Sequence, residues 1–139
     1  MKRQVLCSFA VLLVAVCAVS ANAQSIVYPI KVKVPFNFYV ENNVLPQGDY
    51  TVSTVGPTRM VMLTGPQGSI FLSTTPAENG SAKKADELIF HRVNDQYFLA
   101  SIWTSDNRLG HELFRSKHEK ELVAQAGKPA VKVLLASAR

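Results

Sequence analysis

Three histidines, His91, His111 and His118, are the side chains best suited to proton transfer or metal binding in this 139-residue chain. A metal site needs such groups to converge, commonly with a carboxylate. Neither His-x-His nor His-Glu-x-x-His occurs. The pair His111-Glu112 recurs as His118-Glu119, seven residues on. On one continuous helix both pairs would share a face. Ser116 and Glu119, however, form a capping-box pattern, which starts a helix between the two pairs. The expectation is therefore no metal site and no cofactor. His91 is expected in a strand, and His111 and His118 as polar surface residues.

Nucleophilic catalysis has little to work with. Both cysteines, Cys7 and Cys17, lie in the first 17 residues. There is no Gly-x-Ser-x-Gly elbow and no phosphate-binding glycine loop. The carboxylates that could serve as acid or base are Glu41, Asp49, Asp95 and Asp106. All lie at expected turns, where carboxylates commonly bond to local backbone. Arg92 and Arg108 are too scattered to define an anion site. Trp103, Tyr97 and Tyr39 are the candidate contact aromatics, with Trp103 expected in the core. No catalytic residue is assigned, and the chain is expected not to be an enzyme. The competing reading is a hydrolase-like enzyme using His91 with a turn carboxylate.

The elements that position these residues begin after an expected leader. Lys2 and Arg3 precede an apolar run from Val5 to about Val19. The run ends in Ala21-Asn22-Ala23, a small-x-small cleavage pattern. It is shorter than the roughly 20 residues of a spanning helix. Residues 1–23 are expected to be a cleaved signal peptide, with Ala21 and Ala23 at the signal-peptidase site. The product, residues 24–139, has no cysteine for a disulfide, so its stability must come from a core. Its length suits one domain. The expected location is the periplasm or the extracellular space.

Net charge is +5, and removal of Lys2 and Arg3 leaves +3. The cations form no stripe or patch, so no nucleic-acid partner is expected. No second apolar stretch can span a bilayer, and residues 24–139 are expected to have no integral membrane span.

From Ile30 to Glu41 the chain alternates. Ile30, Val32, Val34, Phe36, Phe38 and Val40 are apolar, and the residues between them are mostly polar. That period of two predicts a half-buried antiparallel strand, with an edge or bulge at Pro35. Leu45–Gly48 (LPQG) predicts a type I turn. Strands follow at Asp49–Val55, Met60–Leu63 (a buried type) and Ser69–Thr74. Turns at Gly56–Arg59 and Gly65–Gly68 separate them. Thr75–Asp86, with an Asn79-Gly-Ser tripeptide, predicts a long exposed loop and a candidate contact region. Glu87–Thr104 predicts a hairpin turning at Asn94-Asp95. On its second strand Phe98, Ala100 and Ile102 share one face, and Tyr97, Leu99, Ser101 and Trp103 the other. Both faces are apolar, so this strand is expected to be central and covered twice.

The helix is predicted from about Lys117 to Ala126. It presents His118, Leu122, Val123 and Ala126 on one face and stops at Gly127 and Pro129. A last strand places Val131, Val133 and Leu135 inward. The expected fold is all-β with one short C-terminal helix: a single antiparallel β-barrel or β-sandwich of about seven strands.

The segments VPFNFYV, VLPQGDYTV, LIFHRVNDQYFLASIW and GHELFRSKHEKELV carry a resemblance. They are similar to an uncharacterised family of small exported β-rich proteins of environmental Gram-negative bacteria. That family shows VPFxFxV, LPAGxY, FHR, YFLxxIW and ELxxSxxExEL over most of the span matching Lys33 to Val123. Gln47 stands where the family commonly has alanine. The resemblance implies a secreted or periplasmic β-rich domain and carries no catalytic residue across. The reading that results is a non-enzymatic β domain binding a partner protein of the envelope or a small ligand. A calycin-like barrel for an apolar ligand is its other alternative.

Overall fold

The computed structural model describes residues 29–55, 59–78, 85–105 and 109–136. The expected leader with Ala21 and Ala23 lies outside them. So do residues 56–58, the loop interior 79–84 with Asn79, and 106–108 with Asp106 and Arg108. Ten strands and one helix are described: β1 (Ile30–Val34), β2 (Phe38–Val40), β3 (Asn43–Leu45), β4 (Gly48–Thr54), β5 (Met60–Gly65), β6 (Gly68–Glu78), β7 (Glu87–Val93), β8 (Gln96–Trp103), β9 (Leu109–Leu113), α1 (Lys117–Ala126) and β10 (Val131–Ala136). The described residues are all-β with one short helix, as their patterning predicts. The strand count and closure differ from expectation. Ten strands form one open sheet, ordered β1-β4-β5-β6-β9-β8-β2-β3, with β7 joining β8 to β10. This is not a closed seven-strand barrel. The margins β1 and β10 curl to within 8 Å at Cα but form no ladder with each other.

The first alternating run is two strands rather than one. β1 alternates buried and exposed and pairs with β4, Val32 opposite Tyr50. Pro35 lacks an N–H, so the ladder stops there. After Asn37 the chain resumes as β2, which pairs with β3 and β8. The tight turn is Glu41-Asn42, with Glu41 at φ 54°, and not LPQG. LPQG is a corner between β3 and β4. The Gln47 N–H donates to Asn37 Oδ1 at 2.9 Å, and the Tyr50 hydroxyl donates to the Pro46 carbonyl. These two bonds tie the crossover at Pro35–Asn37 to the start of β4.

The loop expected at Thr75–Asp86 is shorter than predicted. Thr75–Glu78 continues β6 and pairs with β9, Pro76 opposite His111. At its far end Asp86 is buried, and its Oδ1 accepts the Ser105 N–H at 2.7 Å. Met60–Leu63 alternates rather than burying throughout: Val61 and Leu63 are buried and Met60 is exposed. β10 pairs with β7, and Val133 and Leu135 pack on the core. Val131 does not. It pairs with exposed Arg92 and is itself exposed.

One apolar cluster fills the concave side. Val34, Phe38, Val40, Val52, Val61, Leu63, Leu88, Phe90 and Ile102 are essentially inaccessible to solvent. Phe38 meets Tyr50 and Phe90 edge-on, and Phe36 stacks on Tyr97 at 3.8 Å between centroids. Burying a large apolar side chain of this kind is worth about 1.5–3 kcal/mol.

β8 is central and covered on both sides, as expected, but its faces differ from simple alternation. The register slips between Ile89 and Phe90: Ile89 opposes Ser101 and Phe90 opposes Leu99. Ala100 is the additional residue of a bulge, which shifts side-chain parity by one. Leu99 and Ile102 therefore both reach the core, with Tyr97 partly against it. Phe98 and Trp103 are buried but belong to the other face.

Candidate functional site

α1 covers that other face. Ser116 is its N-cap and accepts the Glu119 N–H at 3.1 Å, and Gly127 ends it at φ 60°. His118, Leu122, Val123 and Ala126 are half-buried as predicted, but Glu119 is the most buried residue of the helix. Its carboxylate lies against the sheet. His91 Nδ1 donates to Glu119 Oε1 at 2.9 Å, with side-chain exposures of 13% and 5%. Arg115 Nε lies 3.8 Å from the same oxygen. His118 Nε2 donates to Gln96 Oε1 at 2.9 Å, and its ring packs near those of Tyr39 and Phe98. Burying a carboxylate is tolerable only with such partners.

His91 therefore meets a carboxylate, but a helical one. Glu41, Asp49 and Asp95 are all exposed, and none of them is the partner. Chemically, the pair orients an imidazole against a buried carboxylate. Its geometry clasps α1 to β7. His118 is not a free surface residue either, since it joins the aromatic layer beneath the helix. Among the described residues no three His, Cys, Asp or Glu side chains are grouped for a metal ion. Also among them, no helix is long and apolar enough to cross a membrane. Tyr39 and Tyr97 are half-buried in stacks with Phe98 and Phe36. Trp103 is buried, its Nε1–H donating to Ser101 Oγ at 3.0 Å.

His111 occupies a separate niche. The Thr74 hydroxyl donates to the Arg59 carbonyl at 2.8 Å. Its oxygen then accepts from His111 Nδ1 at 2.9 Å. Burial holds the His111 pKa below the usual histidine value, because the cation loses hydration. A lowered folded-state pKa means that the unfolded chain binds the proton more readily. Stability is therefore complete above the unfolded value of about 6.5 and declines as pH falls through the folded pKa. Melting temperature is expected to drop between pH 7.5 and 5, and to drop less in His111→Asn, which keeps a donor toward Thr74. Equal slopes in thermal scans of the two proteins would remove His111 as the cause.

Sequence reasoning passed over the convex side of the β4–β5–β6 region. Ser53, Met62 and Phe71 lie in one row across these strands, and Met60 pairs with Ser73. Val55 donates its N–H to the Met60 carbonyl at 3.1 Å. Leu113, opposite Thr74, turns inward, and Phe114, the residue that follows β9, is exposed. Phe71 is 60% exposed and Phe114 62%. Val55 and Met60 are exposed and Met62 half-buried. Together they make an apolar strip, with the exposed Arg59 and Arg115 beside its members in the chain. The available signal was the alternation in MVML and SIFLST, which sends Met60, Met62 and Phe71 to the face opposite the core.

A cleft of about 210 Å³ opens on the concave side, between β3 and the turn joining β5 to β6. Leu45, Tyr50, Leu63 and Ile70 line it, with Asn43 and Gln67 among its polar residues. Compared with protein-family models, curated proteins and solved structures, the chain matches none.

Proposed function

We propose that this chain is a non-enzymatic β domain, exported to the periplasm or the cell exterior, that docks a partner protein of the envelope. The exposed strip of Met60, Met62, Phe71 and Phe114 carries this reading. Methionine and aromatic side chains are enriched at the cores of protein interfaces, and contiguous exposed apolar surface marks interaction sites. Arg59 and Arg115 suit a partner with an apolar centre and an acidic rim. Export rests on Lys2, Arg3, the apolar run and Ala21-x-Ala23.

Two features favour docking over the alternatives. His91 and Glu119 are engaged with each other under α1, which leaves little room for a substrate between them. The centre of the concave side, where a calycin-like barrel would hold its ligand, is packed by Phe36, Phe38, Tyr50 and Phe90.

The test is site-specific photo-crosslinking in the source cell, with a benzophenone amino acid at position 71 and, as control, at exposed position 49. A discrete adduct with an envelope protein is expected at 71, absent at 49 and reduced by Phe114→Ser. No adduct at 71, or the same adduct from both positions, overturns the reading.

A further inference from the structure

We propose that the cleft between β3 and the β5–β6 turn receives an extended peptide, which adds a strand to β3 and seats one apolar side chain. The backbone carries the first part. Val40 and Asn43 flank the two-residue turn Glu41-Asn42, and Phe38 opposes Leu45. In an antiparallel hairpin closed by two residues, these two pairs exchange the ladder bonds. Val44 opposes Tyr39 between them, so its N–H and C=O point away from β2. No described strand pairs with that side of β3. An open edge of this kind is a template for another extended chain.

The cleft carries the second part. Its 210 Å³ lies below the roughly 300–1,000 Å³ typical of drug-sized ligand sites. That is room for one side chain. Leu45, Leu63 and Ile70 supply the apolar part of a mixed lining, against which an aliphatic or small aromatic group would pack. Asn43 and Gln67 add amide donors and acceptors for peptide groups. Access is open: a Cβ placed on Gly68 would meet nothing within 4 Å. Ile70 points to this cleft, while its neighbour Phe71 is on the convex strip, so the two surfaces are separate.

The experiment is a titration of the purified isotope-labelled protein, followed by NMR. The probe is a short capped peptide alternating threonine and leucine. Saturable shifts are expected at the amides of Val44, Leu45, Gln67 and Gly68, with slowed hydrogen exchange at the Val44 N–H. Val44→Pro removes that N–H without touching the β2 ladder and is expected to weaken binding at least about tenfold. Ile70→Trp fills the cleft and should do the same, so the conclusion does not hang on one variant's folding. Phe71→Ser should leave the peptide's affinity unchanged, which separates this site from the docking strip. Absence of saturable shifts at millimolar peptide overturns the proposal. So does unaltered affinity in both cleft variants, or shifts centred on Phe71.

Discussion

Replacing Phe90 with alanine is expected to lower the free energy of unfolding by about 3–5 kcal/mol. The ring is wholly inaccessible to solvent and sits where three parts of the chain meet. Phe36 and Phe38 approach it edge-on, at 5.2 and 5.3 Å between centroids. Val133 and Leu99 oppose it from the two neighbouring strands. Truncation removes its transfer energy and leaves a cavity whose walls belong to paired strands, which relax only partly. Each aromatic contact adds about 0.5–1.5 kcal/mol beyond area. A domain of this size holds about 5–15 kcal/mol in all, so the loss is a large share. Urea denaturation checks it: the midpoint should fall sharply while the slope stays unchanged. A loss under about 1 kcal/mol would show that the cavity collapses freely, contrary to this packing.

Gly110→Ala is expected to cost about 1–3 kcal/mol by overpacking. A Cβ there would stand 2.6 Å from Cδ2 and Cε3 of Trp103. The indole cannot simply retreat, because its Nε1–H is held by Ser101 Oγ. Gly110 is also paired to Ala77 of β6, which limits backbone movement. The methyl group therefore costs either the indole's hydrogen bond or part of the β6–β9 ladder. The chain has a single tryptophan, so intrinsic fluorescence reads the outcome directly. A red shift with a lowered denaturation midpoint is expected. Native emission and native stability together would count against this close contact.

Local pairing was legible and long-range pairing was not. The hairpins at Pro66-Gln67 and Asn94-Asp95 follow from turn residues flanked by alternating runs. The helix followed from Ser116, Gly127 and a periodic face between them. The alternation from Ile30 to Val40 gave the right inward set but concealed a change of partner at Pro35. Period-two patterning reports which face is buried, not which strand lies alongside. β3 was missed because Asn43 and Val44 are exposed and three residues show no period.

The bulge at Ala100 defeated the face assignment for a related reason. Alternation was counted across a residue that the ladder skips, and nothing in QYFLASIW marks it. Glu119 was recognised as a capping residue. Its contact with His91 depends on how α1 lies over β7, which one sequence does not specify. The convex strip could have been inferred, since alternation places Met60, Met62 and Phe71 on a common side. What covers that side is a property of the whole sheet.

One edge of β8 serves two partners. Its later half pairs with β9 at Ser101 and Ile102, and its earlier half meets β2 in parallel through Tyr39 and Phe98. The first junction forms soon after its residues are made. The second must wait until position 98 exists to receive position 39, and it closes a loop of intervening chain. Contacts of such span slow folding, because the entropy of closure is spent before the contact repays it. Until then Phe38, which packs against Phe90 as well as Tyr50, is only partly sheltered. The interval between synthesis of β2 and completion of β8 is thus when this protein is most exposed to aggregation, and when a chaperone would have most to hold.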